Sequence, residues 1–159
     1  MSLRLPICLS VIAGLALGAS LLPAAEAPAS PRVVKLRAGV DNAMKFDLAT
    51  IPAAPGELLR VVLSNASTFP KNVMGHNWVL LAAGSDVAAF SAAAAPEAAS
   101  GYIPAKWKDK ILAVIGLLGP NEVGEVTFTA PGAPGEYPFV CSFPGHGVVG
   151  MKGMLVVRR

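Results

Sequence analysis

The sequence predicts an all-β domain, a sandwich of about 7–8 short strands interrupted by one helical insertion over about residues 86–99. Short β-type runs recur along the chain, and Pro/Gly stretches such as Pro52–Gly56 and Pro131–Gly135 punctuate them. One alanine-rich segment breaks the pattern with helical spacing.

Val33–Val40 opens the fold, because Val34, Leu36, Ala38 and Val40 alternate with Lys35, Arg37 and Gly39, the period of a half-buried strand. Met44–Leu48, Glu57–Asn65 and Asn77–Ala82 follow as further strand candidates. In Asp86–Ala99, Ser85 or Asp86 can cap a helix whose Val87, Phe90 and Ala94 share one face, and Pro96 ends it or starts a new turn. This stretch reads as an excursion packed against the sandwich and not as a second domain. Ile111–Ile115, Glu122–Ala130, Glu136–Cys141 and Met151–Val157 complete the strands.

With 159 residues, 53% hydrophobic and 14% charged, the chain is long enough for one domain with a real core. Its first 27 residues differ: Arg4 precedes an apolar run from Leu5 to Leu22, followed by Pro23-Ala-Ala-Glu-Ala27. That pattern predicts a secretory signal peptide over residues 1–27, cleaved at about 24–27. Pro6, Gly14 and Gly18 interrupt the run and favour export with cleavage over an uncleaved membrane anchor, so no stable membrane insertion is expected afterwards. Cys8 leaves with the signal. Residues 28–31 then form a short linker and residues 32–159 the domain.

Losing Arg4 and Glu26 takes 13 basic and 10 acidic residues to 12 and 9, so the net charge stays at +3. No dense Lys/Arg run accompanies this mild excess, which argues against nucleic-acid binding. The cysteines say more. An exported protein normally pairs its cysteines, yet the mature chain keeps only Cys141. Some chemistry must protect or employ that thiol.

The candidate metal or redox residues of the mature chain are His76, His146, Cys141 and the methionines Met44, Met74, Met151 and Met154. Three of them share the segment Cys141-Ser-Phe-Pro-Gly-His146-Gly-Val-Val-Gly-Met151, which joins two adjacent predicted strands. Such a loop returns on itself and can aim thiolate, imidazole and thioether at one point. His76 opens another predicted strand, whose end a sandwich can bring to the same pole. Two imidazoles, a thiolate and a weak thioether are the ligand set of a type 1 copper site, which holds one copper ion cycling between Cu(I) and Cu(II).

Other chemistries fit less well. Cys141 and His146 as nucleophile and base would leave His76 and Met151 unexplained. A catalytic copper centre would need further histidines, and zinc would suit the two His and one Cys but not methionine. Met44 and Met154 are expected to be packing residues.

The segment Pro70-Lys-Asn-Val-Met-Gly-His-Asn-Trp-Val-Leu80 and the loop Cys141–Gly153 resemble the two ligand segments of azurins and auracyanins, blue copper proteins of the cupredoxin family. The resemblance implies a Greek-key cupredoxin sandwich over residues 32–159. It implies His76, Cys141 and His146 as equatorial ligands, Met151 as axial ligand and the Gly75 carbonyl as a candidate long contact. It further implies Asn77 and Ser142 as residues that hydrogen-bond around the sulfur or tie the ligand segments together, and Trp78 as a core residue. Four residues separate His146 from Met151, as in auracyanins and plastocyanins; azurins have three, and the longer loop counts against the Gly75 contact. The azurin disulfide near the N-terminus has no counterpart here.

The function so implied is one-electron transfer without substrate turnover, in the periplasm or outside the cell. The partners are redox proteins, for example a c-type cytochrome or a periplasmic oxidoreductase, and the carrier is a monomer. Copper storage or delivery with the same ligands is the alternative. Val73, Met74, Phe143, Pro144 and Val149 are expected to form an apolar docking surface around His146, with Phe69 and Val148 beside them.

Overall fold

Eight strands form two facing sheets in the computed structural model, which describes residues 30–159. The predicted signal peptide and its cleavage site lie outside the described residues. Strands β1 (Arg32–Ala38), β3 (Leu58–Asn65) and β6 (Val123–Thr129) make one sheet in the order β1-β3-β6. Strands β2 (Thr50–Ala53), β4 (His76–Leu81), β5 (Ile111–Leu118), β7 (Gly135–Val140) and β8 (Lys152–Val157) make the other in the order β2-β8-β7-β4-β5. The pairs β1/β3 and β2/β8 are parallel and the remaining pairs antiparallel. The expected all-β sandwich is therefore what the chain forms.

The alternation read in β1 is the one that folds. Val34, Leu36 and Ala38 are buried and join Leu59, Val61, Leu63, Trp78, Leu80, Phe139 and Leu155 in the core between the sheets. Trp78 lies against both Phe128 and Phe139, with ring centroids 5.9 and 5.7 Å away. Strand β4 is buried along its whole length. Its Trp78 and Leu80 serve the inter-sheet core, while Val79 and Leu81 point to the other face and meet Phe90, Val140 and Trp107 in a second cluster.

The helical excursion supplies that second layer. Helix α2 (Val87–Ala94) is capped by Asp86, whose carboxylate accepts from the amides of Ala88 and Ala89. Its Phe90 and Ala94 are buried, and Phe90 meets Trp107 edge-on at 5.3 Å. The helix stops before Pro96, and Ala98–Ser100 form a separate 3₁₀ turn.

Several boundaries differ from the sequence reading. The run Met44–Leu48 is not a strand; it makes one isolated bridge, Ala38 to Phe46. The fourth edge element is β2 instead, where Pro52 lies within the strand. Proline is tolerated there because β2 is the outer strand of its sheet. Strand β1 ends at Ala38 because Gly39 turns left-handed (φ +70). Met44 and Met154 are exposed, at 38% and 37%, and are not core packing.

Candidate metal centre

Both ligand segments end at the same pole of the sandwich. One-turn helix α1 (Lys71–Met74) closes on Pro70, whose carbonyl accepts from the amides of Val73 and Met74. Gly75 then carries the chain into β4, so His76 is the strand's first residue and pairs with Leu118 at the end of β5. Opposite Asn77 the pairing slips, from His76↔Leu118 to Trp78↔Ile115, so that β5 bulges beside the site.

The second segment leaves β7 at Val140 and returns as β8 at Lys152. Its own backbone bonds hold it. The amide of Cys141 donates to the Met151 carbonyl at 3.0 Å, that of Met151 to the His146 carbonyl at 2.9 Å, and that of His146 to the Phe143 carbonyl at 3.1 Å. Gly145 and Gly150, with φ of +85 and +108, make the turns that other residues would resist.

As a result, ligating atoms of His76, Cys141 and His146 lie within 4.8 Å of one another, and all three residues are buried. The Cys141 sulfur is 3.5 Å from His146 Nδ1 and 3.9 Å from His76 Nδ1, while the imidazole rings lie 5.0 Å apart. Met151 is fully buried at the closure of the loop. Gly75 is buried at the junction of α1 and β4.

Asn77 and Ser142 tie the two segments together. The Asn77 amide donates to the Ser142 hydroxyl at 2.6 Å and to the Gly101 carbonyl at 3.3 Å, and its oxygen accepts from the Ser142 amide at 2.7 Å. Two features escaped the sequence reading. The backbone amides of Asn77 and Phe143 favour the ionised form of the Cys141 thiol, an influence invisible in side-chain identity. Gly39 lies against the far edge of the His76 ring.

Phe143 departs from its expected place. It is buried, at 8% exposure, with its ring 4.7 Å from His146 and 5.1 Å from Tyr102. A ring packed between two others covers the site and offers no surface for a partner. Pro144, Val148 and Val149 are exposed on the loop, as are Phe69 and Val73 on the neighbouring segment, while Met74 is half-buried.

A soft sulfur and two imidazole nitrogens facing one another in an apolar pocket are the donors that copper takes. The family model described as "Copper binding proteins, plastocyanin/azurin family" matches residues 33–158. The chain belongs to this plastocyanin/azurin family. Its cofactor is a copper ion. Auracyanin-B of Chloroflexus aurantiacus is 38% identical over 135 residues, which are 83% of this chain and 54% of that protein. The chain thus spans about half the length of that relative. Azurin of Bordetella pertussis is 36% identical over 141 residues, 87% of this chain and 93% of the azurin. Among solved structures, auracyanin B matches with a TM-score of 0.72 at 34% identity, covering 84% of this chain and 94% of that one.

Within this copper-binding fold the electrostatics are those of a dry site. Burial pushes the Cys141 thiol up to about 11, against which the amides of Asn77 and Phe143 pull it down. Burial, helped by the neighbouring His146, lowers His76 to about 4; burial alone lowers His146 to about 4. The metal-free protein therefore holds two neutral imidazoles and a protonated thiol at neutral pH, and the thiol must release its proton to a metal.

The shifts predict an acid sensitivity. A histidine held below its usual value is neutral when folded, whereas the unfolded chain takes up protons once the pH drops below about 6.5. Stability is thus fully present above that pH and is lost as the pH falls towards 4. For the pair, after allowance for solvent screening, the loss between pH 7 and pH 4.5 should be on the order of 2–4 kcal/mol. Urea unfolding of the metal-free protein at the two pH values measures it; equal midpoints would show that the imidazoles are protonated in the folded state.

Proposed function

We propose that this protein carries single electrons between redox proteins through a type 1 copper ion held by His76, Cys141, His146 and Met151, and turns over no substrate. The observation that supports this most is the convergence of a buried thiol and two buried imidazole Nδ1 atoms from two separate segments. Bound copper supplies a one-electron Cu(I)/Cu(II) couple at that point. The chain's residues supply the rest. The closed loop and the Asn77–Ser142 bonds fix the donors, the amides of Asn77 and Phe143 stabilise negative charge on sulfur, and Phe143 with the surrounding apolar side chains keeps water out. The Gly75 carbonyl is a further candidate contact at the same pole.

Copper storage or delivery would use the same donors, but full burial of His76 and Cys141 favours retention over release. The proposed location is the periplasm or the cell exterior, reached through the signal peptide at residues 1–27. Among the described residues no helix is long and apolar enough to cross a membrane.

The electron's exit is proposed at the apolar surface above His146, formed by Val73, Met74, Pro144 and Val149 with Phe69 and Val148. Its partners would be proteins such as a c-type cytochrome or a periplasmic oxidoreductase, and a small contact suits a carrier that must release them quickly. Val149→Lys is expected to slow electron self-exchange and reduction by a cytochrome several-fold, with copper content and absorption spectrum unchanged; Met74→Lys should act alike. Unaltered exchange rates in both variants, with the site intact, would place the exit elsewhere.

A further inference from the structure

The turn behind His76 is shaped in a way that the ligand set does not explain. Gly39 sits there in the left-handed region, and a Cβ built on it would lie 2.7 Å from His76 Nε2, 3.0 Å from His76 Cδ2 and 3.0 Å from the Ser67 Cβ. The first distance is closer than real Cβ atoms come, and the ring has no flexible end that could swing aside. Nε2 itself is buried without a hydrogen-bond partner. What fixes that edge of the imidazole is therefore shape, supplied by a backbone surface that only glycine offers.

That surface is itself held. The Gly39 amide donates to the Lys45 carbonyl at 3.2 Å and its carbonyl accepts from Asn42 at 3.0 Å. The Asn42 side-chain oxygen accepts from the Ser67 hydroxyl at 3.1 Å and from the Thr68 amide at 2.9 Å. Ser67 is tied through its amide to Asn65 at 2.8 Å, and Asn65 donates to the carbonyl of Leu118, the residue paired with His76 across the sheet. The bonds thus run from the turn to β5, the strand paired with the one that carries His76.

We propose that Gly39 is a positioning residue for the copper centre: the space its missing side chain leaves receives the Nε2 edge of His76 and so turns Nδ1 toward the Cys141 sulfur. This rests on the reading of His76 and Cys141 as ligands. Filling the slot with a methyl group forces the ring to rotate, which moves Nδ1, or the turn to withdraw, which leaves the Nε2 edge unsupported.

The test compares two glycines with nearly the same φ. Gly84 has φ +71, close to the +70 of Gly39, but a Cβ there would meet nothing within 4 Å. Gly84→Ala therefore measures the cost of a left-handed alanine alone. In the full-length protein, Gly39→Ala should weaken copper binding by about 10-fold or more, the scale of residues that orient a ligand. It should also shift the thiolate-to-copper absorption and the reduction potential, whereas Gly84→Ala should leave all three unchanged. Wild-type affinity, spectrum and potential in Gly39→Ala would overturn the proposal. Should Gly39→Ala fail to fold, the same substitution in a His76→Gly background, where the ring is gone, is expected to destabilise no more than Gly84→Ala does; a larger effect there would show that the ring is not what Gly39 accommodates, and would equally overturn it. His76→Gly alone separates the two readings, because copper absorption unaffected by loss of His76 would refute the ligand assignment and not the packing.

Discussion

Cys141→Ser protein loaded with Cu(II) is expected to lack the intense red absorption that the wild type should show. That absorption needs a sulfur donor: charge moves from thiolate to copper, and a serine oxygen is harder, holds its proton at neutral pH and has no comparable transition. The geometry makes the substitution clean. Cys141 is fully buried and a serine hydroxyl, somewhat smaller than the thiol, fits the same place without a clash. The metal-free variant should consequently unfold within about 1 kcal/mol of wild type, while its affinity for Cu(I), which favours soft ligands, collapses. Titration with Cu(II) followed by absorption, alongside urea unfolding of the metal-free forms, makes the comparison. A serine variant that still absorbs strongly in the red would refute Cys141 as the ligand.

Asn77→Ala is expected to destabilise the protein strongly while leaving the proposed ligands in place. The side chain is fully buried and makes three hydrogen bonds, two of them to Ser142. Alanine strands the buried Ser142 amide and the Gly101 carbonyl and leaves a small cavity. Together these should cost about 3–4 kcal/mol, a large share of the roughly 5–15 kcal/mol that holds a domain folded. Because Ser142 follows Cys141 in the chain, copper affinity should fall as well, by about 10- to 100-fold. Urea unfolding of the metal-free protein and competition with a copper chelator check the two effects. A loss below about 1 kcal/mol would mean that water replaces the amide without difficulty.

The sandwich and the loop part of the candidate site were legible for one reason: they are written as patterns within single segments, whereas His76 is singled out by the resemblance of its own segment. The alternation of Val34, Leu36 and Ala38 is a strand whatever it pairs with, and the spacing of Cys141, His146 and Met151 lies in one loop whose ends are neighbouring strands. The features that escaped depend on a second segment. Pro52 looks like punctuation until β2 is seen to lie at the edge of its sheet, paired on one side with β8. Phe143 looks like surface until Tyr102, from the excursion after β4, is found against it. Gly39 continues the alternation of β1 in sequence, and only the His76 ring shows why no side chain can stand there. The amides of Asn77 and Phe143 that favour the Cys141 thiolate carry no side-chain signature at all.

The pairing of β2 with β8 also sets an order of events. Thr50 in β2 lies beside Met154 in β8, so one outer strand of the five-stranded sheet must wait for the last strand of the chain. Sheets closed by such distant partners belong to the slow end of folding, on the order of milliseconds to seconds. Cys141, His146 and Met151 all belong to the segment that leads into that final strand. A form that lacks β8 would leave the loop from Cys141 to Met151 open at one end. Capture of copper by the proposed donors is thereby expected to follow the pairing of β8 with β7.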